Sequence, residues 1–83
     1  MMNYFYVYVL RSIEFERNYV GFTTNVDRRL KDHNSGRTKS TRPYKPWKVI
    51  LFERFSSKME ALSREKFLKT GQGRDYIKKL LAS

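Results

Sequence analysis

Apolar and polar positions follow the clearest pattern over Tyr4–Leu10. On an extended chain Tyr4, Tyr6 and Tyr8 fall on one face and Phe5, Val7 and Val9 on the other. The run is aromatic and β-branched, and it predicts a strand. Arg11–Glu16 reads as a connection with Ile13 and Phe15 as anchors. A second short strand is expected over Arg17–Phe22, stopping near Gly21. So short a link predicts an antiparallel hairpin, because a parallel crossover takes a dozen or more residues.

Helical spacing follows. Thr24-Asn25-Val26-Asp27 has the form of a capping box, opening a helix to Asn34 with Gly36 as its stop. Asn34–Pro46 reads as a long loop. Trp47–Phe55 predicts a third strand, and its Val49-Ile50-Leu51-Phe52 run predicts cover on both faces. Ser57-Lys58-Met59-Glu60 is a second capping box, opening a helix to Lys69 that Gly71 and Gly73 break. Arg74–Leu81 closes the chain as a helix with Tyr76, Ile77, Leu80 and Leu81 on one side. The expected order is β-β-α-β-α-α. It predicts an α/β chain of the α+β kind, with a three-stranded antiparallel sheet flanked by helices in one domain over residues 1–83.

Composition narrows the chemistry. A chain of 83 residues buries only roughly 60–65% of its unfolded surface, so its core must be small. It has no cysteine, which excludes disulfides and thiolate metal sites. No apolar run nears the roughly 20 residues of a membrane span. The opening Met1-Met2-Asn3-Tyr4-Phe5-Tyr6 lacks the basic start of a signal peptide, so the expected location is the cytoplasm. Lys and Arg number 18 against 8 Asp and Glu, a net charge of +10. The excess is uneven. Residues 1–27 hold two cations, Arg11 and Arg17, against Glu14, Glu16 and Asp27; the remainder holds sixteen against five. The loop alone carries Arg37, Lys39, Arg42 and Lys45 and no acid. This asymmetry fits a polyanion, with phosphates as the expected anions. The alternative is a basic surface that serves solubility alone.

Few catalytic constellations remain. With a single His, a His-rich zinc site is excluded, and no Ser sits on a nucleophile elbow. No glycine-rich stretch has P-loop spacing. On a helical wheel with Val26 at zero, Leu30 falls at about 40°, His33 at about 340° and Arg29 at about 300°. Arg29 and His33 therefore flank the apolar stripe. Arg29 there either serves a ligand or snorkels outward. Glu65 interrupts the apolar positions Ala61, Leu62 and Leu68. A carboxylate so placed wants a cation, either a metal or a structural Arg. Spacing alone leaves both open. Tyr8 and Tyr19 by themselves read as packing residues.

The ordered set carries more than its parts. Tyr6-Val7-Tyr8, then Tyr19-Val20-Gly21, then Arg29, His33 and Glu65 resembles the GIY-YIG nuclease domain. The chain is similar above all to its small stand-alone bacterial members, a group akin to the C subunit of the excision nuclease. Supporting stretches are Tyr19-Val20-Gly21-Phe22-Thr23-Thr24-Asn25, Arg28-Arg29-Leu30-Lys31-Asp32-His33-Asn34 and Glu60-Ala61-Leu62-Ser63-Arg64-Glu65-Lys66. The likeness runs over roughly residues 4–80. Tyr6 stands where the first motif has glycine, Phe22 where the repair enzymes carry Lys, and Ile77 where they carry Asn.

The resemblance implies a metal-dependent endonuclease that hydrolyses phosphodiester bonds, with DNA in repair or processing as the expected substrate. It implies one Mg²⁺ or Mn²⁺ on Glu65, Arg29 on the scissile phosphate, Tyr19 as proton acceptor from water, Tyr8 orienting that water, and His33 as relay or phosphate contact. Tyrosine is a demanding base, since a phenol of ordinary pKa, about 10, is about 0.1% ionised at pH 7. Arg37, Lys39, Arg42 and Lys45 would then track the backbone, with Tyr44 or Trp47 stacking on an unpaired base. A monomer is expected, reading shape or taking specificity from a protein partner. The alternative function is a nucleic-acid-binding module on the same fold with weak or lost catalysis.

Overall fold

The computed structural model describes residues 3–82, so the Met1-Met2 part of the opening run lies outside the described residues. Its elements are β1 (Phe5–Ser12), β2 (Asn18–Thr23), α1 (Val26–Asn34), a 3₁₀ turn (Arg42–Tyr44), β3 (Trp47–Phe55), α2 (Lys58–Leu68) and α3 (Gly71–Ala82). The expected β-β-α-β-α-α order holds. So does the three-stranded antiparallel sheet, in the order β2-β1-β3.

β1 is central because both of its faces are apolar. Val7, Tyr8, Val9 and Leu10 are all buried. Val7 and Val9 pack with Ala61 and Leu68 of α2 and Ile77 of α3. Tyr8 and Leu10 pack with Trp47, and Val26 and Leu30 of α1 close over them. The sheet thus lies between α1 on one face and α2 with α3 on the other. Each fully buried aliphatic side chain contributes about 1.5–3 kcal/mol, so these few residues hold the layers together.

β3 departs from the expectation of two covered faces. Val49 packs on the α1 side and Ile50 and Leu51 on the α2 side, but Phe52 is 58% exposed. An irregularity in the ladder explains the split. Val9 pairs with Leu51 and Leu10 with Val49, leaving Ile50 as the extra residue of a bulge.

The caps shift by small amounts. Asn25, not Thr24, caps α1: its backbone is extended and its side chain accepts from the Arg28 N–H. Thr23 is drawn instead into bonding the Asn25 N–H. Gly36 ends the helix at φ +84, as its position predicts. Ser57 caps α2. The largest correction concerns Gly71 and Gly73. They do not delay the last helix to Arg74; α3 begins at Gly71, and Thr70 Oγ1 accepts from the Gly73 N–H. Gly73 is buried, and a Cβ there would meet the backbone of Phe67 and Leu68. Glycine is needed for this close approach of α3 to α2.

Three other expectations change. Leu62 is 42% exposed, so the stripe of α2 is Ala61, Glu65 and Leu68. Of the apolar side of α3 only Ile77 is buried. The Ile13 side chain is exposed and only its N–H is tied, to the Pro46 carbonyl, whereas Phe15 stands edge-on to Tyr44.

Candidate active site

Tyr8 comes from the middle of β1 and faces α1. Its cross-strand partner is Gly21. The ring lies over that glycine: a Cβ on Gly21 would fall 2.8 Å from Tyr8 Cε1 and closer still to the hydroxyl end. The glycine of the second motif is therefore the floor on which the tyrosine of the first motif rests. Tyr19, two positions earlier on β2, brings its ring to 6.3 Å from that of Tyr8 and 4.9 Å from the His33 imidazole, centroid to centroid.

His33 is buried on α1 and bonded at both nitrogens. Tyr8 Oη lies 3.0 Å from Nε2, and Thr41 Oγ1 lies 2.8 Å from Nδ1. The direction of these bonds follows from counting hydrogens. Thr41 Oγ1 donates its one proton to the Thr38 carbonyl at 3.3 Å. With that proton on the carbonyl, Oγ1 accepts from His33, and in this tautomer Nδ1 carries the hydrogen and Nε2 accepts. Tyr8 then donates to Nε2, and its oxygen, which also accepts from Arg29, keeps one lone pair for a ligand or solvent. Burial, with the Arg29 charge, lowers the His33 pKa below its ordinary value against the opposing pull of Asp32, so the ring is neutral at pH 7. Burial first, then the charge of Tyr19, pushes the Tyr8 pKa up to about 12, although Arg29 opposes this by hydrogen bonding and by charge. Tyr8 is thus a hydroxyl at neutral pH.

Arg29 flanks this pair on α1, half-exposed. Its Nη1 is 3.7 Å from Asp32 Oδ2, and Arg37 shares the same carboxylate at 3.6 Å. Both are loose contacts, and they leave most of the planar fork of Arg29 able to take a phosphate.

Glu65 sits between Ala61 and Leu68 on α2 with its side chain 20% exposed, and its charge is the least of the influences that raise Tyr8. The structural Arg considered as its partner belongs elsewhere. Arg64 makes a two-pronged pair with Glu53 at 2.8 and 3.2 Å. Glu65 instead accepts from Lys69 Nζ at 3.1 Å, an ammonium 55% exposed and easily displaced. Among the described residues no three His, Asp or Glu side chains gather as a metal cluster. A half-buried carboxylate with an exchangeable partner still fits a hard cation that draws the rest of its shell from water and phosphate.

The basic loop folds tightly onto this centre. Arg37, Lys39, Arg42 and Lys45 are exposed, with Arg42 Nε donating to the Gly36 carbonyl at 2.7 Å. Tyr44 is half-buried between Phe15 and the Arg17 guanidinium, which lies 4.5 Å from its ring. Trp47 cannot stack on a base as expected: it is 3% exposed and donates from Nε1 to the Thr41 carbonyl. Thr41 is the residue that the sequence did not reveal. It is buried and binds both His33 and Trp47, yet in sequence it is one threonine in a polar loop.

Comparisons with known proteins agree on the family. The model of the GIY-YIG catalytic domain matches residues 4–79. A UPF0213 protein of Haloquadratum walsbyi is 41% identical over 71 residues, covering 84% of this chain and 79% of its own length. One from Clostridium perfringens is 45% identical over 65 residues, covering 77% of this chain and 69% of its own. The solution NMR structure of a UPF0213 protein from Bacillus halodurans superposes with a TM-score of 0.56 at 35% identity, over 93% of this chain and 84% of that one.

Proposed function

The chain belongs to the GIY-YIG catalytic-domain family, whose fold implies a nuclease-like activity on nucleic acid, and from that premise we propose that it is a metal-dependent endonuclease acting on DNA. The observation that carries the reading is the hydrogen-bonded chain of Tyr8, His33, Thr41 and the Thr38 carbonyl, with Arg29 beside it. The same chain links the sheet to α1, and what favours chemistry over structure alone is the half-exposed Arg29 fork beside the Tyr8 hydroxyl.

The residues divide the work as follows. Arg29 takes the non-bridging oxygens of the scissile phosphate with its fork. An attacking water donates to the free lone pair of Tyr8. As its oxygen bonds to phosphorus and the bridging P–O bond on the opposite side breaks, the water's proton passes to Tyr8 Oη while the Tyr8 proton passes to His33 Nε2, and the departing sugar oxygen takes its proton from solvent. The imidazole ends as imidazolium. No phenolate has to exist beforehand, which removes the cost of ionising a phenol whose pKa is about 12. Tyr19, packed against both rings, orients the water. The two tyrosines thereby exchange the roles that the family resemblance implies. Glu65 would hold a Mg²⁺ or Mn²⁺, which when bound supplies charge neutralisation at the phosphate.

A metal-supplemented cleavage screen over single-stranded, duplex, flap and junction DNA tests this. Cutting of at least one substrate, abolished by chelator and by Glu65→Gln, is expected. A folded chain that binds these substrates and cuts none would make it a binding module instead.

A further inference from the structure

A cleft of about 1060 Å³ opens between the β1–β2 hairpin and α3. Tyr19 stands in its lining. The hairpin wall supplies Arg11 and Arg17, and the α2–α3 corner and α3 supply Lys69, Arg74 and Lys78. Two carboxylates, Glu16 and Asp75, face these five cations. The floor includes Leu68 and Ile77, both buried.

Three of these cations have a partner in the fold and two have no ion pair among the described residues. Arg11 bonds Asn18, Arg17 covers Tyr44, and Lys69 reaches Glu65. Arg74 and Lys78 are exposed and have no carboxylate partner among the described residues. They are four positions apart on α3, on one helix face and about 6 Å apart along its axis. Like charges gathered around a concavity repel one another and focus a positive potential into it, which an anion relieves.

We propose that this cleft is a second phosphate track, through which one strand of the substrate leaves the catalytic centre. The proposal rests on the nuclease reading for its ligand. The cleft joins the centre at two points: Tyr19 packs on His33, and Lys69 holds Glu65. The loop of Arg37, Lys39, Arg42 and Lys45 adjoins the same centre from the far side of His33, through Thr41. A strand lying over Arg29 then meets cations both before and after the scissile phosphate. An acidic protein would match the charge of the cleft, but it would have no reason to abut Tyr19 and the Lys69 that holds Glu65.

The test is equilibrium binding of labelled single-stranded and duplex oligonucleotides in EDTA, across a salt series. Arg74→Ala/Lys78→Ala is compared with Lys58→Ala/Lys66→Ala, an equal loss of charge at exposed positions outside the cleft. The cleft pair is expected to weaken binding by at least about tenfold near 0.1 M salt and to flatten the log–log slope by about 1.8 for duplex, or about 1.4 for single strands. The control pair should change affinity less than about twofold. Equal effects of the two pairs, or an unchanged slope in the cleft pair, would overturn the track. Because chelator suppresses cleavage, this result is independent of whether the chain cuts. A protein that cuts but shows no cleft effect loses the track alone, and one that shows the effect but never cuts loses the nuclease reading alone.

Discussion

Tyr8 Oη and His33 Nε2 meet at 3.0 Å across 25 positions of sequence, with both side chains buried. The bond joins the central strand to α1, and Thr41 extends it into the basic loop. The same contact therefore serves folding and chemistry. It holds the imidazole beside the Tyr8 hydroxyl, and it is also the polar link between the sheet and the helix that covers it.

Protonating His33 should therefore loosen the fold. Its folded pKa lies below the unfolded value of 6.5, so the unfolded chain binds the proton more readily. Stability from this group is complete above about pH 6.5 and falls as pH drops through the folded pKa, with a slope of at most about 1.4 kcal/mol per pH unit. Tyr8 works at the other end: with its pKa raised to about 12, its share is present below pH 10 and fades between 10 and 12. Denaturant midpoints measured from pH 7 to 5 should decline in the wild type and decline less in His33→Gln. Parallel profiles would show that His33 is not titrating in this way. Cleavage should share the acid limb, since the proposed relay needs a neutral ring.

Gly21→Ala should displace the Tyr8 ring. The added Cβ overlaps the ring of a fully buried tyrosine. Overpacking of this kind costs typically about 1–3 kcal/mol. Melting curves should show that loss, and cleavage should fall further than stability does. Combining it with Tyr8→Ala removes the overlap, so the double variant should lose less stability than the two single changes added together, and it should recover none of the activity. A Gly21→Ala protein that keeps the wild-type melting temperature would mean that the ring is not held on the glycine.

Arg64 should matter for stability and not for catalysis. It pairs with Glu53 of β3, and its guanidinium lies 5.1 Å from the Phe67 ring and 5.2 Å from the Tyr76 ring of α3. Glu53 and the hydrogen bonds it accepts hold the Arg64 pKa above its ordinary value. Arg64→Ala should lower stability by about 1–3 kcal/mol. Arg64→Lys should recover only part of it, because an ammonium cannot span both carboxylate oxygens and both rings. Chemical denaturation of the three proteins, beside a cleavage assay under native conditions, separates the two effects.

Much of the fold was legible because the chain's periods are strict. The alternation over Tyr4–Leu10 predicted both faces of β1, and Trp47–Phe55 was bounded as observed. The glycines of the α2–α3 corner misled for a physical reason. Glycine reads as a breaker locally, and only the packing of α3 against Phe67 and Leu68 shows why Gly73 belongs inside a helix. For the candidate site, the wheel brought Arg29 and His33 to the core edge correctly. It could not show that His33 is entirely buried, because the cover comes from Thr41, whose contact depends on the folding of a loop with no period at all.

The basic loop should account for much of the salt dependence. Neutralising about five phosphates predicts a slope of about −4.5 for duplex and shallower for single strands. Removing Arg37, Lys39, Arg42 and Lys45 together should flatten it, and none of the four is buried. Titrations at several salt concentrations measure this directly. An unchanged slope would place the binding face away from this loop.

Glu65 and Glu60 give the sharpest test of the catalytic centre, since they share a helix and a charge. Glu60 is exposed in the first turn of α2, and its N–H bonds to the Ser57 cap. Glu65 lies one turn past Ala61 on the buried stripe and senses Tyr8. Glu65→Gln preserves shape and removes the charge that would hold a cation. Its one described ion pair is to a half-exposed Lys69, so the substitution should cost at most about 1 kcal/mol of stability. Cleavage should drop at least about a hundredfold while nucleic-acid binding persists. Glu60→Gln should also cost no more than about 1 kcal/mol and leave cleavage near wild type. Added Mg²⁺ should raise the melting temperature of the wild type and of Glu60→Gln but not of Glu65→Gln, in proportion to cation bound by the folded state. A folded Glu65→Gln protein that cuts at the wild-type rate would remove Glu65 from the reaction and leave the metal without its only carboxylate on this stripe.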